Sequence, residues 1–270
     1  MAMSNLAVRV TTAVIGVPAF LGILWFGGPV YNALVLMIVL GAALEYFTIT
    51  GFREADRKDF MFGVSMAMAA ALMTTTVLPP KFVGPVLIAA MIAIMLWHML
   101  RFGDMKTVVS RSGVMFLGVV YAGILPTFFW HLRARPEGFG WVVMLLAVVW
   151  LSDTGAYFTG RAFGRHKMYP AVSPGKSWEG AVGGLVSSVG GAFLVRWLLM
   201  PSMPMVECVI IAVPAGVLGQ AGDLCESLIK RAYGVKDSGR SIPGHGGILD
   251  RFDAIFFAAP FIYFIARIMH

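Results

Sequence analysis

Asp223, Glu226, Ser227 and Lys230 place two carboxylates, a hydroxyl and an ammonium at i, i+3, i+4 and i+7. On a helix they form one stripe. Surface ion pairs would give the same spacing, yet this stripe runs straight into a chain segment built for anions. It leads to Lys236-Asp237-Ser238-Gly239-Arg240-Ser241-Ile242-Pro243-Gly244-His245-Gly246-Gly247, then closes on Asp250-Arg251-Phe252-Asp253. A glycine-rich turn of this kind exposes backbone N–H groups that cradle phosphate oxygens. Three carboxylates around it, Asp223, Asp250 and Asp253, suit a hard cation such as Mg²⁺ bridging substrate phosphates. Asp250 and Asp253 also fit the start of a helix, where acids cap free N–H groups and offset the dipole. His245, beside three glycines, reads as a base, a phosphate donor or a turn residue.

A second polar stretch begins at Asp153-Thr154-Gly155-Ala156-Tyr157 and Arg161. It continues through Arg165 and Lys167 to Ser173-Pro174-Gly175-Lys176-Ser177-Trp178-Glu179-Gly180. Asp153 falls inside an apolar block, where a carboxylate must be paired or hydrated. It shares a helical face with Tyr157, either as a partner for a neighbouring helix or as the wall of a polar cavity. Gly175-Lys176-Ser177 looks like the end of a phosphate loop. The first glycine of G-x-x-x-x-G-K-[ST] is missing, position 170 is Pro, and no strand precedes it, so a P-loop NTPase is excluded. What remains is a lysine with hydroxyls that can bind a phosphate. Ser177 and Glu179 fit equally well as capping residues of the next helix.

The elements that must hold these groups are membrane helices. Hydrophobic residues make up 59% of the 270 and charged ones 13%, against about 45–50% and 25% in soluble domains. One soluble core cannot hide that much apolar surface, and disorder is excluded by the same figures. With 31 glycines and 18 methionines, the expectation is an all-α, polytopic integral membrane protein whose helices pack through small residues. No charge occurs between Arg9 and Glu45, and Gly27-Gly28-Pro29 divides that stretch into two helices. Further apolar blocks at 60–79, 83–100, 112–131, 140–160, 179–200, 204–222 and 252–269 bring the expected total to about nine spans. The last two blocks are short. Val10–Trp25 lacks an A-x-A-like site and runs into another span, so no cleavable signal is expected. Cys208 and Cys225 match no disulfide or zinc pattern.

Nine spans place the termini on opposite sides. Sixteen of the 21 basic residues then share the side of Arg9, leaving Lys81, Arg133, Arg135, Arg196 and Arg267 on the other. The positive-inside rule makes the first side, and the N-terminus, cytoplasmic. The net charge of +7 thus has a membrane meaning: basic cytoplasmic loops attract anionic lipid, and no nucleic-acid partner is expected. The chain divides into N-terminal transmembrane helices, 1–110, and a C-terminal transmembrane catalytic region, 111–270, with cytoplasmic loops 161–178 and 223–251.

The 27 residues from Ser227 to Asp253, with Ser227-Leu-Ile-Lys230-Arg231, Lys236-Asp237 and Pro243-Gly-His245-Gly246-Gly247-Ile-Leu-Asp250-Arg251-Phe-Asp253, resemble the signature of the phosphatidate cytidylyltransferase (CDP-diacylglycerol synthase) family. The Asp153–Gly180 region is similar to it as well; the first 110 residues are similar only in hydrophobicity. The resemblance implies an enzyme of the cell membrane, most naturally the bacterial cytoplasmic membrane, that takes CTP and phosphatidate to CDP-diacylglycerol and pyrophosphate with a divalent metal. Together, the physical reading of the residues and the resemblance give an expected catalytic set of Asp223, Lys230, Arg231, Lys236, Asp237, His245, Asp250 and Arg251. Asp223 and Asp250, supported by Glu226 or Asp253, would hold Mg²⁺ or another divalent ion, with a second ion as an option. The expected substrate-binding set is Asp153, Tyr157, Arg161, Ser173, Lys176, Ser177, Glu179, Ser227, Gly246 and Gly247. Two alternatives stay open: a prenyl-type lipid phosphate as acceptor, and a transporter using Glu45 and Asp153 as an ion path. The absence of an internal repeat counts against the transporter. Small residues in the helices are also compatible with a homodimer.

Overall fold

The computed structural model describes residues 5–77, 80–101, 104–242, 244 and 246–270, with side chains from residue 14 onward except at 77 and 80. It has two compact units, one of Met1–His131 with Asp237–Leu249, the other of Leu132–Lys236 with Asp250–His270.

The first unit opens with α1 (Asn5–Phe26) and α2 (Gly28–Ile49). Gly27 and Gly28 adopt φ of 66° and 63°, a left-handed turn that glycine makes without penalty, and Pro29 starts the next helix in a position that needs no N–H. The short α3 (Phe52–Ala55) leads to α4 (Arg57–Leu72), which runs on as a π turn over Met73–Val77. α5 (Val83–Arg101) follows, then α6 (Met105–Gly118), again extended by a π segment, Val119–Ile124, and then α7 (Thr127–Arg133). Asp56 and Asp104 cap α4 and α6 by accepting the N–H groups of Lys58 and Lys106 at 2.8 and 3.0 Å. Three polar tips inside the unit find their partners within it, as an apolar medium favours. Tyr31 Oη donates to Phe129 O (2.8 Å), Tyr46 Oη to Val114 O (3.0 Å) and Trp130 Nε1 to Asn32 Oδ1 (2.6 Å). Buried Asp59 gathers three elements: it accepts from Trp97 Nε1 at 2.8 Å, Arg101 at 3.2 Å and Arg111 at 2.6 Å.

The second unit contains α8 (Gly138–Phe163), a hairpin of β1 (Lys167–Tyr169) and β2 (Ser173–Ser177), α9 (Trp178–Leu199), α10 (Met205–Ala232) and most of α11 (Leu249–Met269). The strands are antiparallel, pairing Lys167 with Ser177 and Tyr169 with Ser173. α8, α9 and α10 meet at Gly184, where a Cβ would stand 2.8 Å from both Ser152 O and Gln220 Nε2. Ser188 Oγ contributes a further tie by donating to Ala212 O at 3.2 Å.

Eight helices among the described residues are long and apolar enough to cross a membrane, and Val14–Phe26 adds a shorter apolar helix. The all-α, multi-pass expectation holds. The two blocks that read as short in the sequence belong to helices of 28 and 21 residues. At about 1.5 Å per residue, 28 residues reach ~42 Å, beyond the ~30 Å hydrocarbon core. The surplus is the polar end of α10, from Asp223 onward. The stretch 161–178, read as a loop, instead holds the last turn of α8 and the hairpin.

Candidate active site

Asp223, Glu226, Ser227 and Lys230 lie on α10 as their spacing predicts. Ser227 Oγ is 3.5 Å from Asp223 Oδ1. The Lys230 ammonium sits between two carboxylates, bonding Asp250 Oδ1 at 2.6 Å and ion-pairing with Glu226. Asp223 is held from another element: Lys176, on β2, reaches its Oδ2 at 2.6 Å. The hairpin carries that lysine and is itself anchored. Glu179, in the first turn of α9, accepts the N–H groups of Arg165 and His166 at 3.2 Å and the His166 ring Nδ1–H at 2.6 Å. Ser177 caps α9 by accepting Gly180 N–H at 3.2 Å.

Beside these groups opens a cavity of about 620 Å³, lined by Asp153, Tyr157 and Arg161 of α8, Lys167, Gly175, Lys176 and Ser177 of the hairpin, and Gln220 and Asp223 of α10. Its size is that of a site for a small molecule. Asp153 is exposed on this wall, within electrostatic reach of Asp223, Lys176 and Arg251. Arg161 donates to Tyr157 Oη at 3.1 Å. A carboxylate pair and three cationic side chains therefore share one opening, an arrangement able to take up a phosphorylated ligand and to balance charge as phosphates move.

Six residues expected to bind substrate, Asp153, Tyr157, Arg161, Lys176, Ser177 and Ser227, line the cavity or bond to its wall. Glu179 is occupied with the hairpin backbone, and Ser173 lies in a strand pair. Arg231 donates to Val172 O at 3.4 Å and Val235 O at 3.0 Å, so it fastens the hairpin to the end of α10. Lys236 and Arg251 are exposed. Asp237, Gly246 and Gly247 belong to the first unit, where Gly246 O accepts Ile242 N–H at 2.9 Å. His245 lies outside the described residues. The sequence reading passed over Lys167 and Gln220 as site residues. Gln220 could have been found, since it stands one turn before Asp223 on the same face of an apolar helix; its Nε2 donates to Ala181 O at 3.1 Å.

For a metal, the donor chemistry and the present geometry differ. Asp223, Glu226, Asp250 and Asp253 offer carboxylate oxygens only, as hard divalent cations prefer. Glu226 is 2% exposed, and its Oε1 meets no hydrogen-bond donor among the described residues. Asp253 is buried within electrostatic reach of Asp223 and Glu226. The described residues nevertheless hold no group of three acidic, His or Cys side chains close enough to chelate an ion. Lys176 and Lys230 supply the positive charge in its place. As placed, Asp223, Glu226 and Asp250 are paired with these lysines.

Residues 7–269 match a sequence model of the cytidylyltransferase family. The chain belongs to that family. The phosphatidate cytidylyltransferase of Staphylococcus haemolyticus (strain JCSC1435) is 33% identical over 262 residues, covering 94% of this chain and 96% of the relative. That of Brucella suis biovar 1 (strain 1330) is also 33% identical, over 273 aligned residues and 98% and 95% of the two chains. That of Staphylococcus saprophyticus is 34% identical over 264 residues. The expected membership is borne out.

Proposed function

We propose that this chain transfers the cytidylyl group of CTP to phosphatidate, forming CDP-diacylglycerol and pyrophosphate. The observation that carries the reading is the charged cavity in the unit of α8–α11, in a chain whose full-length relatives are named phosphatidate cytidylyltransferases. A phosphatidate phosphomonoester oxygen attacks the α-phosphorus of CTP, the bond to the bridging oxygen breaks, and pyrophosphate leaves with that oxygen. The phosphomonoester is already a competent nucleophile, so the obstacle is bringing two polyanions together, a matter of position and charge. Arg161, Lys167 and Lys176 hold triphosphate oxygens; as nucleotide enters, Lys176 exchanges Asp223 for phosphate. Lys230 keeps Glu226 and Asp250 together, and Arg251 and Lys236 contribute further phosphate contacts. Asp223 and Asp250, with Glu226 and Asp253 behind them, would hold Mg²⁺, which supplies charge to neutralise the phosphates. Tyr157, on the cavity wall, orients the lipid phosphate. The setting is the bacterial cytoplasmic membrane, with the N-terminus and both polar segments on the cytoplasmic side, where CTP is available.

The test is lipid-dependent pyrophosphate release by the purified protein with CTP and Mg²⁺. Release with phosphatidate is the expected result. Release with a prenyl phosphate and none with phosphatidate would transfer the reading to that acceptor.

A further inference from the structure

We propose that Glu45 is a positioning residue for this reaction, clamping the glycine-rich loop Ser238–Leu249 and so fixing where α11, the helix bearing Asp250 and Arg251, begins. The inference rests on the cytidylyl-transfer reading for its catalytic consequence, although the clamp itself is a matter of geometry.

Glu45 lies near the end of α2 and is 6% exposed. A carboxylate buried among apolar helices persists only where donors replace water. Here four donors do so, and all come from one segment roughly two hundred positions away. Oε1 accepts Ser241 Oγ–H at 2.5 Å and Ile248 N–H at 2.9 Å; Oε2 accepts Ser238 Oγ–H and Leu249 N–H, both at 2.9 Å. The two backbone donors stand at the start of α11, where N–H groups have no partner within the helix and a negative charge is favoured. The loop is shaped to this carboxylate. A Cβ at Gly239 would stand 2.6 Å from Glu45 Oε1, and one at Gly247 would collide with Oε2 and with Ser238 Oγ. One turn earlier on α2, Gly41 leaves room for the Ile248 side chain. The loop is closed on itself by the Ile242–Gly246 bridge, with Gly244 and Gly246 at φ of 74° and 86°. Thus an acid in the N-terminal helices, outside the 27-residue signature, ties together Ser238, Ser241, Ile248 and Leu249 within it.

Glu45→Gln tests the clamp with little change in volume: the amide nitrogen would face two donors it cannot accept from. We expect kcat to fall by about tenfold or more, since small misplacements of charged groups are expensive, with KM for phosphatidate within about twofold of wild type. Trypsin should cut the variant faster after Arg240 in the loop. The double variant Ser238→Ala/Ser241→Ala, which keeps both backbone donors, should show a smaller loss. Combining it with Glu45→Gln should add little, because both act through one contact. A Glu45→Gln protein with a lowered melting temperature but wild-type kcat and wild-type loop protection would make Glu45 a packing residue only and overturn the proposal; so would strict additivity of the two changes. If the wild-type protein forms no CDP-lipid, the functional reading fails, and the trypsin comparison still decides the clamp.

Discussion

Lys230 joins two carboxylates, those of Glu226 and Asp250. Removing one member of a buried ion pair commonly costs about 3–5 kcal/mol, because the partner charge is stranded. Lys230→Met strands the buried Glu226 and removes a 2.6 Å bond from Asp250, so we expect a lower melting temperature in detergent together with loss of turnover. The aspartates separate by what asparagine can replace. Asp223→Asn and Asp250→Asn keep shape but weaken the bonds to Lys176 and Lys230 and remove charge a cation needs; turnover should fall about 100-fold or more. Asp253 differs. Its Oδ1 accepts Ala254 N–H at 2.7 Å, a bond asparagine also makes, and its other neighbours include the acids Asp223 and Glu226. Asp253→Asn should therefore keep or raise the melting temperature and lose less activity. Equal loss at all three positions, in an assay over a range of Mg²⁺, would mean one shared cluster. The stripe on α10 was legible because helical spacing alone puts its members together. The Lys176–Asp223 pair was not, since no local pattern joins a hairpin residue to a helix residue 47 positions on.

Among the elements, the end of α5 shows how little of the tertiary network the apolar pattern contains. Asp59 sits in an otherwise ordinary helical block, yet it binds Trp97, Arg101 and Arg111, while Arg101 also reaches Asp56 at 2.6 Å. Asp59→Ala should lower stability by about 3 kcal/mol, the low end for a buried pair because both arginines are about a third exposed. Asp59→Asn, which keeps the Trp97 bond, should cost roughly half. Asp56 adds a pH signature. The Lys58 N–H, and after it Arg101, hold its carboxyl below the ordinary value of 3.8. A lowered folded-state value means the contribution is complete above the ordinary carboxylate range and fades as pH falls through the folded value. The melting-temperature gap between wild type and Asp56→Ala should hence be flat from pH 7 to about 5 and close only below about pH 4; a gap closing near neutrality would contradict it. Apolar blocks announced the helices correctly, whereas β1 and β2 carry no alternation and the reach of α10 beyond its apolar core is a matter of polar residues continuing a helix.

For the molecule as a whole, the distribution of basic residues predicts that the hairpin and the glycine-rich loop face the cytoplasm. Single cysteines at exposed Pro174 and Arg240, in a background without Cys208 and Cys225, should resist an impermeant thiol reagent in intact cells and react after lysis. Labelling before lysis at either position would reverse the topology. The multi-pass class followed from composition alone, because no soluble core could bury so much apolar surface; the clamp on Glu45 could not, since its donors become neighbours only when the chain folds. The central claim is attack at the α-phosphorus of CTP by a lipid phosphate, and isotope placement tests it most directly. Purified protein given phosphatidate and CTP labelled at either the α- or the γ-phosphate should carry α-label into the lipid and release γ-label as pyrophosphate. Transfer of γ-label to the lipid, or no label in lipid from either nucleotide while the protein remains folded, would contradict it.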